Sequence, residues 1–139
     1  MTTARNKTII RTITLLITIF SLSFPAYAKY SGGTGEPNEP YQIATAEDLI
    51  ALGEEPNDYD KHFVLTEDID LSGYTFDRAV IAPDVNDDER WFQGTAFTGV
   101  FDGNDHAISH LTIQGSGFLG LFGRTDSGAR ISNLGLEAV

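Results

Sequence analysis

"FTGVFDGNDHAISHLTI" (residues 97–113) is echoed a few residues later by "FLGLFGRTDSGARISNLGL" (residues 118–136). Phe97, Gly99 and Phe101 return 21 positions on as Phe118, Gly120 and Phe122, while Ile108, Leu111 and Ile113 return 23 positions on as Ile131, Leu134 and Leu136. Self-similarity at a period of about 22 residues is the mark of stacked units too small to bury their own apolar faces. Ile108 and Leu111 lie three apart, as do Ile131 and Leu134, so neither pair fits one face of a straight strand. A bend is expected at Ser109 and His110, and again at Ser132 and Asn133, where Asn or His tolerates left-handed backbone. Strand, bend, strand, loop, repeated, spells a coil of parallel β-structure. It predicts Phe101 over Phe122, Ile108 over Ile131 and Leu111 over Leu134, about 5 Å apart.

Upstream, "TAEDLIAL" opens with a capping box, Thr45 accepting from the amide of Asp48, and predicts a short amphipathic helix over residues 46–52. In "HFVLTEDIDLSG" the residues Phe63, Leu65, Ile69 and Leu71 share one parity and Glu67 interrupts it, which predicts a corner at Thr66 and Glu67. Helix 46–52 has one apolar side and is expected to cap the first turn of the coil.

Residues 1–28 read as a secretory signal peptide: Arg5, Lys7 and Arg11 in front, a short apolar stretch, then Ala26, Tyr27 and Ala28 before the cut. The expected organisation is therefore a signal peptide at 1–28, an N-terminal segment with the capping helix at 29–61, and β-coil turns at 62–139. The last turn is expected to present an open apolar edge, implying a C-terminally truncated piece whose parent chain supplies further repeats. Removing residues 1–28 takes three of nine basic residues and none of the 20 acidic ones, so the mature charge is 6 minus 20, or −14. That charge argues against nucleic acid and anionic lipid as partners, and the mature chain holds no membrane span. With no cysteine, stability must come from packing or metal.

The blocks "FDGN" (residues 101–104), "GLFG" (residues 120–123) and "NLGL" (residues 133–136), with the upstream "PYQIATAEDLIAL" and "FVLTEDIDLSG", resemble the GLUG motif region of secreted bacterial proteins. The resemblance covers residues 32–139. It implies an all-β, right-handed parallel β-helix of adhesin type, as in large surface proteins and the non-catalytic part of some immunoglobulin A peptidases. It implies no catalytic residue.

Candidate chemistry is sparse. Asp84, Asn86 and Asp88 begin like a calcium loop, but Glu89 stands where a glycine is needed and Thr95 where a bidentate Glu belongs. They make calcium the one cofactor candidate, against the reading of a solvated acidic loop. His106 and His110 flank a bend and read as surface histidines rather than a metal pair. Glu67, Asp68 and Asp70 would need a nearby Lys or Arg to act as a lyase site, and Trp91 with Phe92 is weighed as a carbohydrate platform against a core cover. The sequence thus predicts a non-catalytic exported or cell-surface scaffold for adhesion or presentation to an extracellular carbohydrate or protein. The alternative is a fragment of a β-helix polysaccharide lyase or hydrolase.

Overall fold

The computed structural model describes residues 28–138, so the signal peptide read at residues 1–28 lies outside the described residues except for Ala28. Among the described residues there are seven short strands, one α-helix and one 3-10 turn. They are β1 (Tyr41–Ile43), α1 (Ala46–Gly53), the 3-10 turn (Pro56–Asp58), β2 (His62–Leu65), β3 (Ile69–Asp70), β4 (Val100–Asp102), β5 (Ala107–Ser109), β6 (Arg130–Ser132) and β7 (Gly135–Glu137).

The strands form two small sheets, in the orders β1-β2-β4-β6 and β3-β5-β7, and every neighbouring pair is parallel. This overturns the expected right-handed parallel β-helix. What the described residues form is a four-stranded and a three-stranded sheet of strands two to four residues long, together with a helix, rather than a closed, regular solenoid. The spacing shows why. Successive partners in the first sheet are Tyr41 to Phe63, Phe63 to Phe101 and Phe101 to Ile131, offsets of 22, 38 and 30, and in the second Ile69 to Ile108 and Ile108 to Leu136, offsets of 39 and 28. No common period runs through the chain, and residues 72–99 contribute only isolated bridges such as Phe76 to Ile113 and Ile81 to Phe122.

The stacking expected from the repeat also changes. In the ladders Phe101 pairs with Ile131 rather than with Phe122, and Ile108 with Leu136 rather than with Ile131. The similarity of "FTGVF" to "FLGLF" is real in the sequence, but ladder hydrogen bonds follow the bends. His110 (φ 57°) and Asn133 (φ 52°) both occupy the left-handed region at the predicted corners. The two corners are not register partners: Asn133 follows the Asp102–Ser132 pair and lies beside Gly103, while His110 follows the Ser109–Glu137 pair and lies beside Ala138, which leaves "FLGLF" to fill a different place.

The core sits on the inward parity. Ile43, Phe63, Leu65, Ile69, Leu71, Phe101 and Ile108 are buried, joined by Leu49 and Leu52 from α1 and by Phe97, Val80 and Ile81. An aromatic file runs through it: ring centroids are 5.6 Å apart for Tyr41 and Phe63, 6.4 Å for Phe63 and Phe101, and 5.5 Å for Phe101 and Phe122. Each buried aromatic contributes about 1.5–3 kcal/mol of transfer free energy, and with no disulfide this file is a main stabilising feature. Close stacking has its own requirement at Gly99 and Gly103, where an added Cβ would collide with the carbonyl oxygens of Lys61 and Asn133. The helix begins as expected: Thr45 Oγ1 accepts from the Asp48 amide at 3.1 Å. The Asp48 carboxylate in turn accepts from the Ala44 amide at 3.0 Å.

Candidate interaction surface

Among the described residues each sheet has an end strand with no strand on its far side, β6 in one and β7 in the other, and both belong to the same segment of the chain. Inward side chains of the inner strands β2, β4 and β5 are fully buried, and this burial is lost at the last strands. Phe101 and Ile108 have no exposed surface, whereas their register partners Ile131 and Leu136 are 41% and 48% exposed. Beside Leu136 a groove of about 510 Å³ runs along Leu111, Ile113, Leu119 and Leu121. The result is an apolar strip bordered by backbone amides and carbonyls that can pair with another extended chain.

The residues singled out for chemistry do not converge on this strip. Asp84 is buried, and its Oδ1 accepts from the amides of Gln93 at 2.8 Å and Asn86 at 3.3 Å, while Asn86 Oδ1 accepts from the Asp88 amide at 3.2 Å. The calcium candidate is thus a loop whose Asp84 carboxylate and Asn86 carbonyl fasten the backbone. Among the described residues no three His, Cys, Asp or Glu side chains gather where they could hold a metal ion.

His106 and His110 point to separate acids. His106 Nδ1 lies 3.1 Å from Asp68 Oδ1 and His110 Nδ1 lies 2.9 Å from Asp70 Oδ1, so two His–Asp pairs lie along the exposed face of β3 and β5. The Ala107 amide, with His106 second, holds the Asp68 carboxyl below the usual carboxylate range, and the Ser72 amide, with His110 second, does so for Asp70. Among the described residues, the ion pairs of Lys and Arg fall at Lys29, Lys61 and Arg78, none of them with Glu67, Asp68 or Asp70. Trp91 and Phe92 part company. Trp91 is 71% exposed with the Arg90 guanidinium 5.7 Å from its ring, and Phe92 packs edge-on against Phe118 at 5.3 Å.

One cluster escapes sequence reading altogether. Asp58, 6% exposed, accepts a hydrogen bond from the Tyr30 hydroxyl at 2.7 Å and pairs with Lys29 Nζ at 2.7 Å, and the same ammonium reaches Glu55 at 3.3 Å. Burial first, then the hydrogen bond to Asp58 and its charge, pushes the Tyr30 phenol upward. Desolvation alone would lower the Lys29 ammonium, but the hydrogen bonds and charges of Asp58 and Glu55 together outweigh it and the net shift is upward.

With this geometry in place, comparison with known proteins gives one relation. The chain is similar to halomucin of Haloquadratum walsbyi (strain DSM 16790 / HBSQ001). The two are 36% identical over 116 residues, which is 76% of this chain and 1% of halomucin. The chain therefore spans about a hundredth of that relative's length. The likeness to halomucin fits an exported or cell-surface protein. No family model matches the chain, and no solved structure matches it. Among the described residues no helix is long and apolar enough to cross a membrane.

Proposed function

We propose that the chain is a non-catalytic exported or cell-surface module, one part of a longer protein used for adhesion or for presenting a ligand-binding face to an extracellular carbohydrate or protein. The observation that carries this reading is the open edge. Ile131 and Leu136 occupy inward positions of the two ladders yet lie about half in solvent, as interior positions do when the next layer has been taken away. The natural occupant of such an edge is a further strand, bend, strand stretch of the parent chain, its backbone continuing both ladders and its apolar side chains covering Ile131 and Leu136. Halomucin, of which the matched stretch is 1%, supports a module that is a small part of a very long chain. The three blocks that resemble the GLUG motif region support the same scaffold role, as do the acids at Asp68 and Asp70, which meet histidines rather than the Lys or Arg that lyase chemistry would want.

Light scattering on residues 29–139 tests the edge. Self-association that rises with concentration and disappears in the double variant Ile131→Lys, Leu136→Lys is the expected result. A wild-type chain that stays monomeric at high concentration overturns the open-edge reading.

A further inference from the structure

The first residues after the expected cut are built into the folded body. Lys29 Nζ bridges Asp58 and Glu55, the Tyr30 hydroxyl donates to the buried Asp58, and the Tyr30 ring packs on Tyr41 at 5.0 Å and Phe63 at 5.8 Å. The Ser31 amide donates to the Gln42 carbonyl at 3.0 Å, fixing the chain to β1. Tyr30 itself has φ 59°, a left-handed conformation that an extended peptide in a protease cleft does not have. Cleavage between Ala28 and Lys29 would place Lys29 and Tyr30 on the leaving side of the cleft, where both must be extended and free of other partners.

We infer that the Ala28–Lys29 peptide bond is a processing site open to hydrolysis only before this domain folds, and that folding afterwards locks the new N-terminus through Lys29, Tyr30 and Asp58. In the reaction, water adds its hydroxyl to the Ala28 carbonyl carbon and the C–N bond breaks. The Lys29 nitrogen takes a proton and leaves as the new α-amino group. A precursor that folds first must release Tyr30 from its aromatic pocket and strip the partners from a buried carboxylate before it can be cut, a local opening that lowers the reactive fraction. The order is therefore export, cleavage, folding. This inference rests on reading residues 1–28 as a signal peptide.

An order-of-addition experiment on the full chain, residues 1–139, tests it. The urea-unfolded precursor is diluted into detergent micelles, and purified signal peptidase is added either at the moment of dilution or after refolding is complete. Cleavage in the second order is expected to be slower by about tenfold or more, in keeping with a local opening equilibrium. A variant with a short Gly-Ser spacer inserted between Ala28 and Lys29 is expected to be cut equally fast in both orders, because its scissile bond stands clear of the fold. Equal rates for the wild type in both orders overturn the inference, as does a spacer variant that stays slow after refolding. No cleavage in either order overturns the signal-peptide reading itself, and the inference with it.

Discussion

At the β1 edge the Ser31 amide and the Gly32 carbonyl exchange hydrogen bonds with Gln42, Tyr30 covers the Tyr41 and Phe63 rings, and α1 sinks Leu49 and Leu52 into the core. At the β6 and β7 edges nothing comparable is present among the described residues, and Ile131 and Leu136 stand about half in water. The two ends carry the same kind of ladder and differ only in what lies beyond it. Burial in a stack of parallel strands is thus a property of the neighbour, not of the residue. Equivalent inward positions hold apolar side chains whose burial differs widely, so their contributions to stability are expected to differ as well.

The largest expected effect is the sharpest form of this contrast. Ile108→Asp places an unpaired charge in the core and should abolish cooperative unfolding, whereas Leu136→Asp, at the register partner, should leave a folded chain. On the milder scale of truncation, Phe101→Ala should cost about 3–5 kcal/mol and Ile131→Ala under about 1 kcal/mol, read from urea midpoints. Equal losses at the two positions of either pair would mean that the edge is covered in solution, and the comparison would fail.

A smaller effect probes the covered end. Thr45→Ala removes the acceptor for the Asp48 amide and should cost about 1 kcal/mol, with α1 fraying first in hydrogen exchange. Unchanged protection of the α1 amides would show that packing of Leu49 and Leu52 alone holds the helix in place.

The smallest effect concerns acid. Asp68 and Asp70 titrate below their ordinary range in the folded chain because the Ala107 and Ser72 amides, and then His106 and His110, favour the carboxylates. A depressed folded pKa gives stability that is present above the unfolded value and lost as pH falls through the folded one. The melting temperature should therefore decline below about pH 4, slightly because both acids are exposed, and the double variant Asp68→Asn, Asp70→Asn should flatten that decline. A decline of the same slope in that variant would assign the acid sensitivity to other carboxylates.

Much of the local structure was legible in the sequence, because short-range chemistry decides it. The capping box of Thr45 and Asp48, the shared parity of Phe63, Leu65, Ile69 and Leu71, the corner at Glu67, and the bends at His110 and Asn133 each depend on a few adjacent residues. Of the candidate sites, the sequence singled out the Asp84, Asn86 and Asp88 loop but not its role. It also placed Ile131 and Leu136 in a last turn expected to present an open apolar edge, and both are about half exposed.

What only the tertiary structure decided is the register and the length of each turn. Matching letters aligned Phe101 with Phe122 at an offset of 21, but the ladder pairs Phe101 with Ile131 at an offset of 30, because the bend at Asn133 falls beside Gly103 rather than His110 and loop length between strands is nearly free. For the same reason a regular coil could be read from the repeat although the chain forms two small sheets of uneven spacing. The clasp of Lys29 and Tyr30 on Asp58 joins residues 28 or more positions apart through one buried carboxylate. Local propensity carries no trace of such a pairing, since it exists only once β1 and α1 between them have brought the two ends of the segment together.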